Sequence, residues 1–316
     1  MRINKIILIS IMMLFSCLAS PELLYASAKN CGCTICRELH EAKPQMQGED
    51  VLELQCRLQQ LSFFQGTSDG IYDKETADAV RSFQKAQKQQ VTGRVDQATW
   101  TALGKGCESP ATALPKSPPD NVNIIVDLER LTLTVREGER DYYEFPIAAG
   151  KPETPSPIGE WKIVNKAYDN SGPFGTRWMG LSVPWGSYGI HGTDRPWSIG
   201  SSASAGCIRM FNEDVNQVFE WASEGTPVKI QAPFSWMAGC CTRTLEKDAS
   251  GPDVVYAQLL LKETGFFPYD CDNWYGYLTE LAVRSYQLHH GLPTTGEVDE
   301  KVLMHLEEKV GVFEQS

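Results

Sequence analysis

Two hydrophobic patterns alternate along the chain. Between residues 48 and 103, Val51, Leu54, Leu58 and Leu61 recur every three or four positions, as do Ala79, Val80 and Phe83, which is the spacing of one buried helix face. Asp96 precedes a third short run of this kind and is placed to cap it, because its carboxylate accepts unpaired amides of a first helical turn. Sliding the chain by 203 positions lays 48–103 on 251–306 without a gap, with about 20 of the 56 pairs identical, so the same three-helix module occurs twice. Asp299 is the second copy's equivalent of Asp96.

The segment between the copies changes period. Leu131, Leu133 and Val135 alternate with Thr132, Thr134 and Arg136, Trp161 and Ile163 do likewise, and turn residues fall at Glu129, Arg130, Gly138 and Gly150. That is the pattern of short antiparallel strands in a mostly β domain. One helix interrupts it, with Val215, Val218, Phe219 and Ala222 on one face, Asn212 as its expected cap, and Glu213 and Asp214 near its positive end. A last strand follows at Val228 and Ile230. The fold class is therefore multidomain: a mostly β domain flanked by two all-α three-helix modules. The expected divisions are a leader (1–28), a Cys-rich segment (29–47), a helical module (48–106), a Pro-rich linker (107–120), the β domain (121–232), a second linker (233–250) and the second module (251–310).

Composition narrows the setting. With 29 Lys and Arg against 40 Asp and Glu, the formal net charge is -11, which argues against nucleic acid as a partner. Arg2 and Lys5 precede an apolar run over 6–15, and the small triplet Ala26, Ser27, Ala28 follows, the signature of a cleaved secretory signal. No later apolar stretch reaches the length of a membrane-spanning helix. Ten cysteines also suit an exported, extracytoplasmic protein.

The β domain contains one cysteine, Cys207, and one histidine, His191, so elimination limits its nucleophilic chemistry to few pairings. A thiol attacks a carbonyl as thiolate and needs an imidazole or a lowered pKa to reach that state near neutral pH. His191 follows Tyr188, Gly189 and Ile190 at a strand end, and Gly192 lets the backbone approach closely. Small residues from Gly200 to Gly206 leave room for a peptide, and the amides near Gly206 and Cys207 are candidates for holding an oxyanion. The competing reading is a buried structural cysteine beside an unrelated histidine. No HExxH helix, phosphate-binding GxxxxGK loop or GxSxG elbow is present, and no organic cofactor is implied.

The segment IHGTDRPWSIGSSASAGCIRM (190–210) strongly resembles the catalytic signature of the L,D-transpeptidases, the YkuD-type family of secreted bacterial enzymes that cross-link peptidoglycan. GKPETPSPIGEW (150–161), RWMGL (177–181) and GTPVKI (225–230) resemble the same family, in the family's order. The resemblance implies that Cys207 is acylated by a donor stem peptide, that His191 is the activating base, and that the main-chain carbonyl of Gly192 orients the imidazole. Ser204 and Gly206 match the serine and glycine before the cysteine. Arg209 matches the signature's arginine, which either holds a substrate carboxylate or braces the loop. Asp194 is a decoy on this reading. Ala205 stands where the family often has a second histidine, so this chain reads SAGC rather than SHGC.

The repeats resemble the three-helix peptidoglycan-binding module through DVLELQCRLQQLSFF and DGIYDKETADAV, with Asn273 replacing a turn glycine in the second copy. Together the resemblances imply stem peptides and glycan as partners and carbapenem-type inhibitors as acylating agents of Cys207. A carboxypeptidase trimming tetrapeptide stems and a catalytically silent wall-binding scaffold are the alternatives. Cys31, Cys33, Cys36, Cys56, Cys107, Cys240, Cys241 and Cys271 form an even set for disulfides. Cys31, Cys33, Cys36 and His40 also have zinc-like spacing, with disulfides preferred on compartment, so no metal site is expected.

Overall fold

A computed structural model describes residues 37–110, 120–152, 154–168, 172–239 and 241–312. The expected leader, Cys31, Cys33, Cys36, Cys240 and most of the first linker lie outside the described residues. No helix among the described residues is long and apolar enough to cross a membrane.

The first module pairs two short strands, β1 (Met46–Gln47) and β2 (Ile71–Tyr72), beside helices α1 (Glu49–Gln60), α2 (Lys74–Ala86) and α3 (Gln97–Leu103). Leu54, Leu58, Val80, Phe83 and Trp100 form its core. Asp73 and Asp96 accept the Thr76 and Thr99 amides, each at 2.8 Å, and so cap α2 and α3.

The central domain is one eight-stranded sheet in the order β11-β9-β8-β7-β12-β3-β4-β5. In chain order its strands are β3 (Val122–Asp127), β4 (Thr132–Glu137), β5 (Arg140–Pro146), β7 (Gly159–Tyr168), β8 (Arg177–Leu181), β9 (Gly189–His191), β11 (Ile208–Arg209) and β12 (Pro227–Gln231). A separate short pair joins β6 (Ala149–Gly150) to β10 (Ser202–Ser204). The expected antiparallel arrangement is corrected here to a mixed one, because β12 pairs with β3, and β11 with β9, in parallel. Parallel neighbours need a long crossover, and the chain supplies one in the loop from His191 to Ile208.

Helix α4 (Asn212–Trp221) buries Val215, Val218 and Phe219. Asn212 is its first residue rather than its cap, since Phe211 holds that position without a side-chain bond. The far end is held instead from β7, where the Lys166 ammonium donates to the Phe219 and Ala222 carbonyls at 2.6 Å each.

The second module repeats the first with α5 (Pro252–Glu263), α6 (Tyr277–His289) and α7 (Glu300–Val310). The shared residues are those that knit the fold. Gln55 and Gln258 are buried, and each directs its amide nitrogen at an aspartate, a carbonyl and a threonine hydroxyl within 3.1 Å. Tyr72 and Tyr275 donate to the Gly93 and Gly296 carbonyls at 2.9 and 2.8 Å. Asn273 takes φ +71°, close to the +75° of Gly70, a region asparagine tolerates better than most residues. Its side-chain oxygen accepts the Gly251 amide, where the first copy uses the Gly70 carbonyl for Gly48.

The copies dock differently. The second shares one hydrophobic core with the sheet domain, with Val255 close to Gly159 of β7. The first keeps its own core and meets the domain through charges and the stacked rings of Trp100 and Trp197, 6.1 Å apart. Cys56, Cys107 and Cys271 are free thiols in this structure rather than members of the expected disulfide set. Cys271 is fully buried, and burial pushes its thiol up to about 12.

Candidate active site

The parallel pairing of β9 and β11 places Ile208 opposite Ile190 and Arg209 opposite His191. Cys207 immediately precedes β11, one position before the Ile208–Ile190 pair, at the start of the strand that neighbours β9, although it lies 16 positions after His191 in sequence. Both are 1% exposed.

His191 sits in an aromatic slot. Trp178, its cross-strand partner on β8, stacks on the ring at 5.6 Å, and Phe174 meets it edge-on at 4.9 Å. Nδ1 lies 2.5 Å from the Gly192 carbonyl oxygen. A carbonyl only accepts, so this contact assigns the proton to Nδ1 and leaves Nε2 as the basic nitrogen.

The turn before Cys207 is braced from within. The Ser204 hydroxyl donates to the Cys207 carbonyl at 2.5 Å and accepts the Gly206 amide at 3.0 Å. That amide, a candidate oxyanion donor on sequence, is thus engaged in the turn. Gly206 has φ +112°, and a Cβ there would lie 2.7 Å from the Tyr188 ring, so the position excludes side chains on two counts. The 150–161 motif folds over this turn: the Lys151 amide and the Thr154 hydroxyl both donate to the Ser204 carbonyl, at 3.1 Å. The Cys207 sulfur lies 3.9 Å from the Ser187 carbonyl oxygen.

Arg209 is 8% exposed, and its guanidinium donates to Glu53 of α1 at 3.2 Å and approaches the Ser198 hydroxyl at 3.5 Å. Of the two roles open on sequence, this is the bracing geometry. Arg195 also donates to Glu53. Asp194 is half-buried as a residue with its side chain covered, and a carboxylate oxygen lies 3.7 Å from the Arg195 guanidinium, so it pairs within the loop. Ala205 is half-buried.

Sequence reasoning named Asn212 only as a helix cap and missed its role beside the site. Its side-chain oxygen accepts the Thr176 and Thr193 amides at 3.1 and 3.2 Å, and its nitrogen donates to the Thr193 carbonyl at 3.0 Å, which fixes the chain just after His191. Among the described residues no cluster of His, Cys, Asp and Glu is arranged to hold a metal ion.

Residues 121–230 match the L,D-transpeptidase catalytic domain family, and residues 47–103 and 250–306 each match the "Putative peptidoglycan binding domain" family. A relative from Bacillus licheniformis, "Putative L,D-transpeptidase YkuD", is 45% identical over 114 residues, 35% of this chain and 68% of that protein. The chain belongs to the L,D-transpeptidase family. A second relative of this family, "Putative L,D-transpeptidase YqjB" from Bacillus subtilis, is 32% identical over 138 residues, 39% of this chain and 78% of that protein. Among solved structures, an L,D-transpeptidase from Mycobacterium smegmatis aligns at 24% identity and TM-score 0.30, covering 35% of this chain and 59% of that one, less than two thirds of its length. One from Xylanimonas cellulosilytica aligns at 26% identity and TM-score 0.30, over 59% of this chain and 95% of that one. The L,D-transpeptidase domain of this chain is thus the sheet domain that carries Cys207 and His191.

Proposed function

We propose that the chain is an extracytoplasmic peptidoglycan L,D-transpeptidase working through a cysteine thioester. The observations that support this reading are the parallel pairing that sets His191 opposite Arg209, two positions after Cys207, and the commitment of His191 Nδ1 to the Gly192 carbonyl. Nε2 of His191 takes the thiol proton, and the thiolate adds to the carbonyl between the third residue of a tetrapeptide stem and its terminal D-alanine. Collapse of the tetrahedral adduct breaks the C–N bond, and the imidazolium returns the proton to the leaving D-alanine amine. An amine on a neighbouring stem then attacks the thioester, forming the cross-link and releasing the thiolate, with its surplus proton passing to His191. Carbapenems, as reactive carbonyl compounds, acylate the same sulfur.

Two helical modules on one chain raise the effective concentration of the enzyme on a polymeric wall even when each binds weakly. Export follows from the same reading, because the substrate lies outside the cytoplasm.

The test is mass spectrometry of purified protein incubated with tetrapeptide muropeptides, beside Cys207→Ala and His191→Ala. Cross-linked dimers that vanish in both variants are the expected result. Trimmed tripeptide monomers alone would replace the proposal with a carboxypeptidase, and unchanged substrate that co-sediments with the protein would replace it with a wall-binding scaffold.

A further inference from the structure

The loop from His191 to Cys207 is gripped at both ends by one residue from outside the catalytic domain. Glu53 sits midway along α1 of the first module. One carboxylate oxygen meets Arg195, four positions after His191, and the other meets Arg209, two positions after Cys207. The three side chains are only 8%, 10% and 14% exposed for Arg195, Arg209 and Glu53. Arg195 also lies over the Trp100 ring at 4.7 Å, Arg57 lies over Trp197 at 5.2 Å, and Gly104 packs against Pro196. The module therefore closes over the loop that carries the reactive pair.

The repeat supplies an internal comparison. Displacement by 203 positions pairs Glu53 with Tyr256 and Trp100 with Leu303. Tyr256 is fully buried, its ring 6.5 Å from Phe234, and its hydroxyl donates to Glu307 within its own module. The second copy thus fills this helix position with a ring that packs beside Phe234 of the second linker and bonds within its own module, where the first copy places a buried carboxylate against the catalytic domain. Glu53 bridges two guanidiniums that brace the two arms of one loop, with Asp194 the second carboxylate beside Arg195.

We propose that Glu53 is a positioning residue for the Cys207–His191 pair, making the first module a working part of the active site as well as a wall-binding element. The proposal rests on the roles given above to Cys207 and His191. Without Glu53, Arg195 keeps only the longer contact with Asp194 and the buried Arg209 guanidinium loses its carboxylate, and the least costly response is for the loop arms to move toward water. That movement separates the thiol from the imidazole, because Arg209 and Cys207 belong to one short segment.

The experiment compares wild type, Glu53→Gln, Glu53→Asp and Glu49→Gln in the full chain, with near-ultraviolet circular dichroism confirming the fold. Glu49 lies on the same helix and pairs with Lys151 in an exposed contact, so its variant reports on docking charge alone. Two quantities are read: muropeptide turnover, and the pH profile of Cys207 alkylation by iodoacetamide, which needs no wall substrate. Glu53→Gln is expected to lower kcat tenfold or more with KM within threefold, and to move the alkylation midpoint up toward that of an isolated thiol. Glu53→Asp recovers part of both, and Glu49→Gln matches wild type. Should Glu53→Gln lose its native spectrum, Trp100→Leu, which installs the second copy's residue beneath Arg195, is read in its place with the same expectations. A wild-type kcat and midpoint in the folded variant overturn the proposal. A wild-type protein that alkylates at a lowered midpoint but yields no cross-link overturns the transpeptidase reading alone, since the effect of Glu53 remains measurable by alkylation.

Discussion

Arg209 lies directly across a parallel strand pair from His191. The segment that ends in Arg209 begins with the Ser204–Cys207 turn, so a distortion of that turn reaches the imidazole through the sheet as well as the thiol directly.

Gly206→Ala is expected to reduce product formation a hundredfold or more. Its φ of +112° costs on the order of 1–3 kcal/mol for an L side chain, and the new methyl would meet the Tyr188 ring at 2.7 Å. Gly200→Ala is the control, with φ +87° but nothing within 4 Å of its Cβ, so it carries the conformational cost alone. Rates by mass spectrometry and melting temperatures decide the matter; equal behaviour of the two variants would remove Gly206 from the site's architecture.

Asn212→Ala strands the Thr176 and Thr193 amides and the Thr193 carbonyl. A loss of about 1–3 kcal/mol is expected in denaturant unfolding, with slower turnover because the chain after His191 loosens. Asn212→Asp keeps the acceptor and loses the donor, and should fall between the two. An alanine variant as stable as wild type would show that these bonds hold nothing in place.

Asp214 is fully buried, one carboxylate oxygen accepting from Ser109 at 2.7 Å and the other without a hydrogen bond. Burial raises its pKa above the ordinary carboxylate value, outweighing the Ser109 bond. The native state therefore holds the proton more tightly than the unfolded chain, and stability contributed by this group falls as pH rises from the ordinary carboxylate range through the raised value. Asp214→Asn should gain about 1 kcal/mol at pH 7 and flatten that part of the stability profile. Melting curves from pH 4 to 8 that superimpose for both proteins would contradict the assignment.

Cys271, fully buried with its thiol at about 12, should resist iodoacetamide at pH 8 in the native protein, while exposed Cys56 reacts within minutes. Peptide mapping before and after unfolding distinguishes the two sites. Rapid native labelling of Cys271 would mean that the second module opens readily.

Local patterns carried much of this molecule on the page of the sequence. The spacing of Leu54, Leu58, Val80 and Phe83 specified helix faces, and Asp96 and Asp299 specified caps, because these depend on neighbours within one turn. The paired glutamines and tyrosines of the two copies announced a repeated fold, since each meets the same partners in its own module. The difference between Glu53 and Tyr256 was equally visible, yet it gained meaning only when their surroundings were known.

Elimination could single out Cys207 and His191 because the β domain offers one thiol and one imidazole. It could not supply the parallel register that lays β11, with Cys207 just before it, along β9, because alternation of apolar residues reports which face a strand buries and is blind to the direction of its neighbour. Nor could it show Asn212 turning from cap to clamp, or Glu53 reaching Arg195 and Arg209. Those contacts join positions from 19 to 156 residues apart. Sequence determined the elements and the inventory of reactive groups, while tertiary packing decided which distant polar groups had to satisfy one another once water was excluded.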